Sequence, residues 1–174
     1  MIPSHSPGAQ TAGLEDINLE SVVVLEAKSE HTGAVASLVE RLLIELEPEA
    51  QDEIRRLGVP SVAERLLNSG KIIAFLALVD GAPAGVATLH ECAAIYAGGI
   101  FGEISELYVA PEFRSRRIGQ QLLDAISRKA EELGWNRIEV GSPPPDEWQR
   151  TLQFYEKNGF VSTGTRLRRL VPQT

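Results

Sequence analysis

Pro111 places the tightest constraint on what this chain can become. Residues 101–109 have the apolar content of a strand, and a proline cannot donate to a strand ladder, so that strand must end there. From Ile118 the pattern is already helical. Leu122, Leu123, Ile126, Ala130 and Leu133 share one helix face, which Gly134 terminates. A strand, a basic loop over residues 114–119 and a helix therefore follow one another closely. Free backbone N–H groups and the positive helix end meet at that loop, an arrangement that binds anions. Arg114, Arg116 and Arg117 add mobile positive charge at the same place. Taken alone, three arginines on a surface loop are equally compatible with simple solvation.

Elsewhere the hydrophobic period switches repeatedly between two and about 3.6 residues, which marks a mixed α/β domain. Residues 22–27 read as a first strand. Val35, Leu38, Val39, Leu42, Leu43 and Leu46 recur at helical spacing up to Pro48. Two further helical segments, 51–57 and 61–68, are broken by Gly58 and Pro60 and stopped by Gly70. Apolar runs at 72–79 and 85–91 flank Asp80-Gly81 and predict an antiparallel hairpin. Residues 92–99, rich in small side chains, read as a loop or irregular extension carrying Tyr96. Residues 136–140 form a short strand, Pro143-Pro144-Pro145 forces a turn, and Asp146 caps a helix that runs to Asn158-Gly159. Residues 160–171 supply a last strand or hairpin, in which Arg166, Arg168 and Arg169 line a solvated edge.

The chain has 174 residues, enough for one self-sufficient core, expected over 21–174 behind a flexible tail at 1–20. A formal charge of -7 argues against nucleic acid and leans toward a cationic or neutral substrate. Cys92 is the single cysteine, so no internal disulfide can form, and it is read as a small apolar residue. His5, His31 and His90 are widely separated and predict no metal site. Neither an export signal nor a membrane-spanning run is visible, so a cytoplasmic protein without a membrane partner is expected.

The segment ELYVAPEFRSRRIGQQLL resembles motif A of the GNAT acetyltransferase superfamily, in which a strand precedes an R/Q-x-x-G-x-G/A loop and a helix. Arg114 and Gly119 match its ends, and Arg117 stands at its first glycine. A loop residue in helical geometry needs no glycine there and keeps its N–H. WQRTLQFYEKNGF is similar to motif B, N-x-x-A-x-x-x-Y-x-x-x-G-F, with Tyr155, Gly159 and Phe160 in register; Trp148 and Thr151 replace its asparagine and alanine. LVDGAPAGVATL fits the family's central hairpin, so the resemblance covers about residues 71–160.

This resemblance implies an α/β (α+β) fold with a mixed, mostly antiparallel sheet of six to seven strands and helices on both faces. It implies acetyl-CoA as co-substrate, held by Leu107, Tyr108 and Val109 along the pantetheine arm and by Arg114, Ser115, Arg116, Arg117, Ile118, Gly119 and Gln120 around the pyrophosphate. The activity implied is N-acetyl transfer to a primary amine of a small molecule or peptide, by direct attack in a ternary complex. Glu106 is favoured as general base, with Glu103 or water as alternatives; strand alternation sends the two carboxylates to opposite faces. Tyr155 matches the family's general acid, although Trp148, Leu152 and Tyr155 also share a helix face and fit a core role. His90 and Tyr96 are read as packing residues, as is Trp135 beneath the sheet. A non-catalytic acyl-CoA-binding module, a longer acyl donor, a hydroxyl acceptor and a homodimer stay open.

Overall fold

The structure, a computed structural model, describes residues 21–141 and 145–164. Five strands form one sheet in chain order: β1 (Val22–Glu26), β2 (Ile73–Val79), β3 (Ala82–Ala94), β4 (Gly99–Val109) and β5 (Ile138–Val140). β1 to β4 pair antiparallel with successive neighbours, while β5 runs parallel to β4. Helices α1 (Thr32–Leu46), α2 (Gln51–Leu57) and α3 (Val59–Asn68) separate β1 from β2. Helix α4 (Ile118–Glu132) carries the chain from β4 to β5, and α5 (Pro145–Lys157) follows β5.

The strand period of two sorts side chains into two layers. Phe75, Ala77 and Val79 of β2 enter a core with Ile118, Leu122 and Ile126 of α4. Ala74 and Leu76, between them, enter a second core with Val35 and Leu38 of α1. Covered on both faces, β2 reads as a continuous apolar run rather than an alternating one. Ile118, Leu122 and Ile126 are almost fully buried, each contributing roughly 1.5–3 kcal/mol, so they anchor the start of α4 firmly on the sheet. Gly85 permits that approach, since a Cβ there would lie 3.1 Å from Ile118 and 3.2 Å from Leu122. Trp135 packs under the sheet as expected: its ring occupies the space that a Cβ on Gly102 would need, 2.5 Å away, and its indole N–H donates to Glu91.

The fold is the expected mixed, mostly antiparallel sheet with helices on both faces, but the described residues hold five strands against the six to seven predicted. Of the predicted last strand, 160–164 has no regular structure, and 165–171, with Arg166, Arg168 and Arg169, lies outside the described residues. So do the expected tail at 1–20, Pro143-Pro144 and the side chain of Asp146. The predicted loop at 92–99 is half strand, because Cys92 pairs with Phe101, Ala93 with Ile100 and Ala94 with Gly99, leaving 95–98 for the turn. Cross-strand pairing there overrides the weak strand preference of alanine. Pro60 sits in the first turn of α3, where its missing N–H costs nothing, and Gly58 at φ 63° makes the break. Within α5, Trp148 is non-helical (φ -125°, ψ 34°), so Trp148, Leu152 and Tyr155 do not share one regular helix face.

Candidate active site

The sheet opens at one place. β5 pairs with β4 only at Gly102, Glu103 and Ile104, whereas β4 continues to Val109, still paired on its other side with β3 as far as Gly85. Residues 105–109 of β4 therefore face a gap on the β5 side among the described strands. Ile118 packs over Gly85, the partner of Val109, which sets the N-terminus of α4 at the open end of that gap.

The connecting loop turns through two left-handed residues, Ser115 at φ 67° and Arg117 at φ 59°. Sequence reasoning treats Arg117 as needing no glycine geometry; the structure places it in the very region that glycine favours, at the N-cap of α4. No side chain caps that helix end, so its first backbone N–H groups are not taken up by a cap. Gly119 serves a different purpose. Its φ is ordinary, but a Cβ would meet Phe154 of α5 at 3.0 Å, so its small size lets α5 close on α4.

The arginines divide in role. Arg114 donates from Nε to the Val109 carbonyl at 2.9 Å and from its terminal nitrogen to Glu45 at 2.7 and 2.8 Å, so its guanidinium braces the loop against β4 and α1. Arg116 lies over Phe113, 5.5 Å from the ring centre, and the Arg117 and Ser115 side chains are exposed. Gln120 donates to Asp124 at 2.9 Å, and the Ile118 side chain is core, leaving only its backbone to the loop. Leu107 and Val109 pack toward α4. Tyr108 is buried on the α1 face, flanked by the Arg41 and Arg114 guanidiniums at 5.9 and 5.7 Å, and burial pushes its phenol up.

The carboxylates differ most from expectation. The β3–β4 register shifts between Thr88 and Leu89: Thr88 pairs with Glu106 but Leu89 with Ile104, so Ser105 is an extra residue in a bulge. Glu103 opposes His90 and Glu106 opposes Thr88; since His90 and Thr88 are two apart on β3, both glutamates share one face. Their predicted separation to opposite faces is therefore wrong, because alternation does not survive an inserted residue. The Glu106 N–H donates to Thr88 Oγ1 at 3.2 Å, and the buried Thr88 hydroxyl returns a short bond to the Glu106 carboxylate. Burial raises the Glu106 carboxyl above the usual range. Tyr155, also buried, touches the rings of Phe154 and Phe160 at 5.5 and 5.3 Å, and desolvation pushes its phenol up to about 12.

Two further placements escape the sequence reading. Tyr96, read as packing, is 73% exposed at the β3–β4 turn, with the Arg137 guanidinium 5.5 Å from its ring centre. The spacing of His5, His31 and His90 predicts no metal site, yet His90, Cys92 and Glu103 bring their ligand atoms within 4.8 Å of one another on the face that carries Glu106. The two-residue spacing of His90 and Cys92 carries half of that signal; the pairing with Glu103 needs the register. Among the described residues no helix is long and apolar enough to cross a membrane.

Comparison with known proteins agrees with this architecture. No curated protein matches the chain by sequence. A ribosomal-protein-alanine N-acetyltransferase from Brucella melitensis biovar Abortus 2308 superposes with a TM-score of 0.68 at 20% identity, covering 87% of this chain and 100% of its own. A predicted acetyltransferase with acetyl-CoA from Clostridium acetobutylicum gives 0.66 at 17%, covering 86% and 96%. An aminoglycoside acetyltransferase from an uncultured soil metagenomic sample gives 0.69 at 20%, covering 87% and 99%. At these identities the likeness is one of fold. The family model for the acetyltransferase (GNAT) domain, however, matches residues 70–162, spanning the opened sheet, the loop and α5, and the chain belongs to the GNAT acetyltransferase family.

Proposed function

We propose that this protein transfers an acetyl group from acetyl-CoA to a primary amine of a small molecule or peptide, by direct attack in a ternary complex. The observation that carries the reading is the parting of β4 from β5 after Ile104, with the uncapped N-terminus of α4 at its open end. An extended pantetheine arm fits that gap as an added strand against the backbone of Leu107, Tyr108 and Val109. The pyrophosphate lies at the loop, taking N–H groups of residues 115–120 and charge from Arg116 and Arg117. Arg114, already tied to Glu45 and Val109, shapes the loop.

Glu106 takes a proton from the incoming ammonium, and its raised proton affinity moves it toward the working pH of a base. The free amine attacks the thioester carbonyl, the tetrahedral intermediate expels the thiolate, Tyr155 gives its proton to sulfur, and the second proton lost from nitrogen as the amide forms restores the phenol through solvent. The products are an amide and free CoA. A phenol at about 12 stays protonated throughout the range in which a thiolate forms, so it is always ready to donate. The family neighbours named for a ribosomal-protein alanine and for aminoglycosides support an amine acceptor. The test is free-thiol release from acetyl-CoA across a panel of peptide and aminosugar amines. Turnover with at least one amine is expected; CoA binding with no release on any amine would instead favour a non-catalytic binding module.

A further inference from the structure

We infer that His90, Cys92 and Glu103 form a zinc-type metal site on the β3–β4 face, with its fourth position open. His90 and Cys92 are alternate residues of β3, and Glu103 is the direct partner of His90 on β4, so the ladder itself converges the three side chains. Cys92 Sγ lies 3.3 Å from His90 Nε2 and 3.7 Å from Glu103 Oε2, and all the ligand atoms are within 4.8 Å of one another. A tetrahedral zinc with one sulfur, one nitrogen and one oxygen ligand separates those atoms by roughly 3.3–3.6 Å. The Cys92 sulfur already stands near that spacing from both other ligand atoms.

A second observation points the same way. His90 Nδ1 lies 3.0 Å from Ser105 Oγ. With the ring proton on Nδ1 and donated to that hydroxyl, Nε2 keeps its lone pair toward Cys92, which is the tautomer a metal requires. Ser105 is the bulged residue of β4, so the bulge that turns Glu106 to this face also supplies the orienting group. Thiolate, imidazole and carboxylate together select zinc over the hard cations magnesium and calcium. On binding, the Cys92 thiol releases its proton to solvent and the sulfur donates a pair to the metal. All three residues are half-buried, which leaves an entry path and a coordination position for water or a ligand donor.

The site is tested without reference to acetyl transfer, by titrating the reduced full-length chain with cobalt(II) and displacing it with zinc. Cys92 is the only cysteine, so any thiolate-to-cobalt charge-transfer band reports this site alone. The expected result is one cobalt per chain with that band and the strong visible absorption of tetrahedral cobalt. Cys92→Ser abolishes the band, Glu103→Gln weakens binding at least tenfold, and Ser105→Ala weakens it by about tenfold. In the unmutated protein, zinc protects Cys92 from iodoacetamide and a chelator restores labelling. Absence of the charge-transfer band, equal affinity in Glu103→Gln, or labelling indifferent to zinc would each overturn the assignment.

Discussion

Arg117 holds a left-handed conformation at the N-cap of α4, φ 59° and ψ 17°, with a Cβ that the family's glycine lacks. For an L-residue that region costs about 1–2 kcal/mol. Replacing such a residue by glycine returns the strain but gives the unfolded chain about 0.4–1 kcal/mol of extra freedom. Comparing Arg117→Gly with Arg117→Ala cancels the lost charge and leaves the backbone term. The glycine variant should be more stable by about 0.5–1 kcal/mol. In a chain of 174 residues that is a Tm difference of about 1–4 °C, read by scanning calorimetry at low salt and again at high salt. Because the difference comes from sterics, it should not change with salt. CoA affinity should fall in both variants, with a salt dependence shallower than the wild type's. An alanine variant as stable as the glycine one would refute the strain at this position.

Other outcomes follow from the remaining site residues. Tyr155→Phe should lower turnover by about 10²–10⁴ with CoA affinity retained. With the phenol at about 12, the wild-type pH–rate profile should show no falling limb from Tyr155 in the neutral range; a limb near pH 9 that vanishes in the Phe variant would contradict this. For Glu106, burial raises the folded-state pKa, so its contribution to stability is present below the ordinary glutamate value and lost as pH rises through the raised one. Glu106→Gln escapes that loss, so its stability relative to wild type should grow as pH climbs through that window, measured by urea unfolding at mildly acid and mildly alkaline pH. Thr88→Val removes a donor to the ionised carboxylate and should move the acid limb of the rate profile upward; a downward move would refute the Thr88–Glu106 pairing. Gly102→Ala drives a methyl into the Trp135 ring and should cost about 1–3 kcal/mol with a shifted tryptophan emission, whereas an unchanged Tm would show that the contact yields freely.

The elements that the sequence announces are those whose signals are local. Asp80-Gly81, Pro111 and Gly134 each end or turn a segment through their own backbone chemistry, and the structure places the hairpin, the β4 terminus and the end of α4 accordingly. The helix face of α4 is equally plain, because Ile118, Leu122 and Ile126 need only a 3.6-residue period to coincide. What stays hidden depends on pairing. The extension of β3 and β4 through 92–94 and 99–101 is set by cross-strand bonds that alanine and glycine do not advertise. The left-handed state of Arg117 is a backbone property that no side-chain preference of arginine announces. Glu103, Glu106, His90 and Cys92 fall on one face only after the register is known.

The extra residue at Ser105 gives β4 an unusual tolerance pattern. Upstream of it, Gly102 and Ile104 turn toward the α4 layer; downstream, Leu107 and Val109 do the same, three positions on instead of two. Point substitutions at Ser105 leave that phase intact. Loss of its codon would leave it intact as well, because removing the extra residue restores plain two-residue alternation, with Ile104 and Leu107 still toward α4 and Glu106 still opposite Thr88. What would go is the hydroxyl beside His90 Nδ1. The bulge is thus a removable side-chain mount, and neither half of β4 turns over without it.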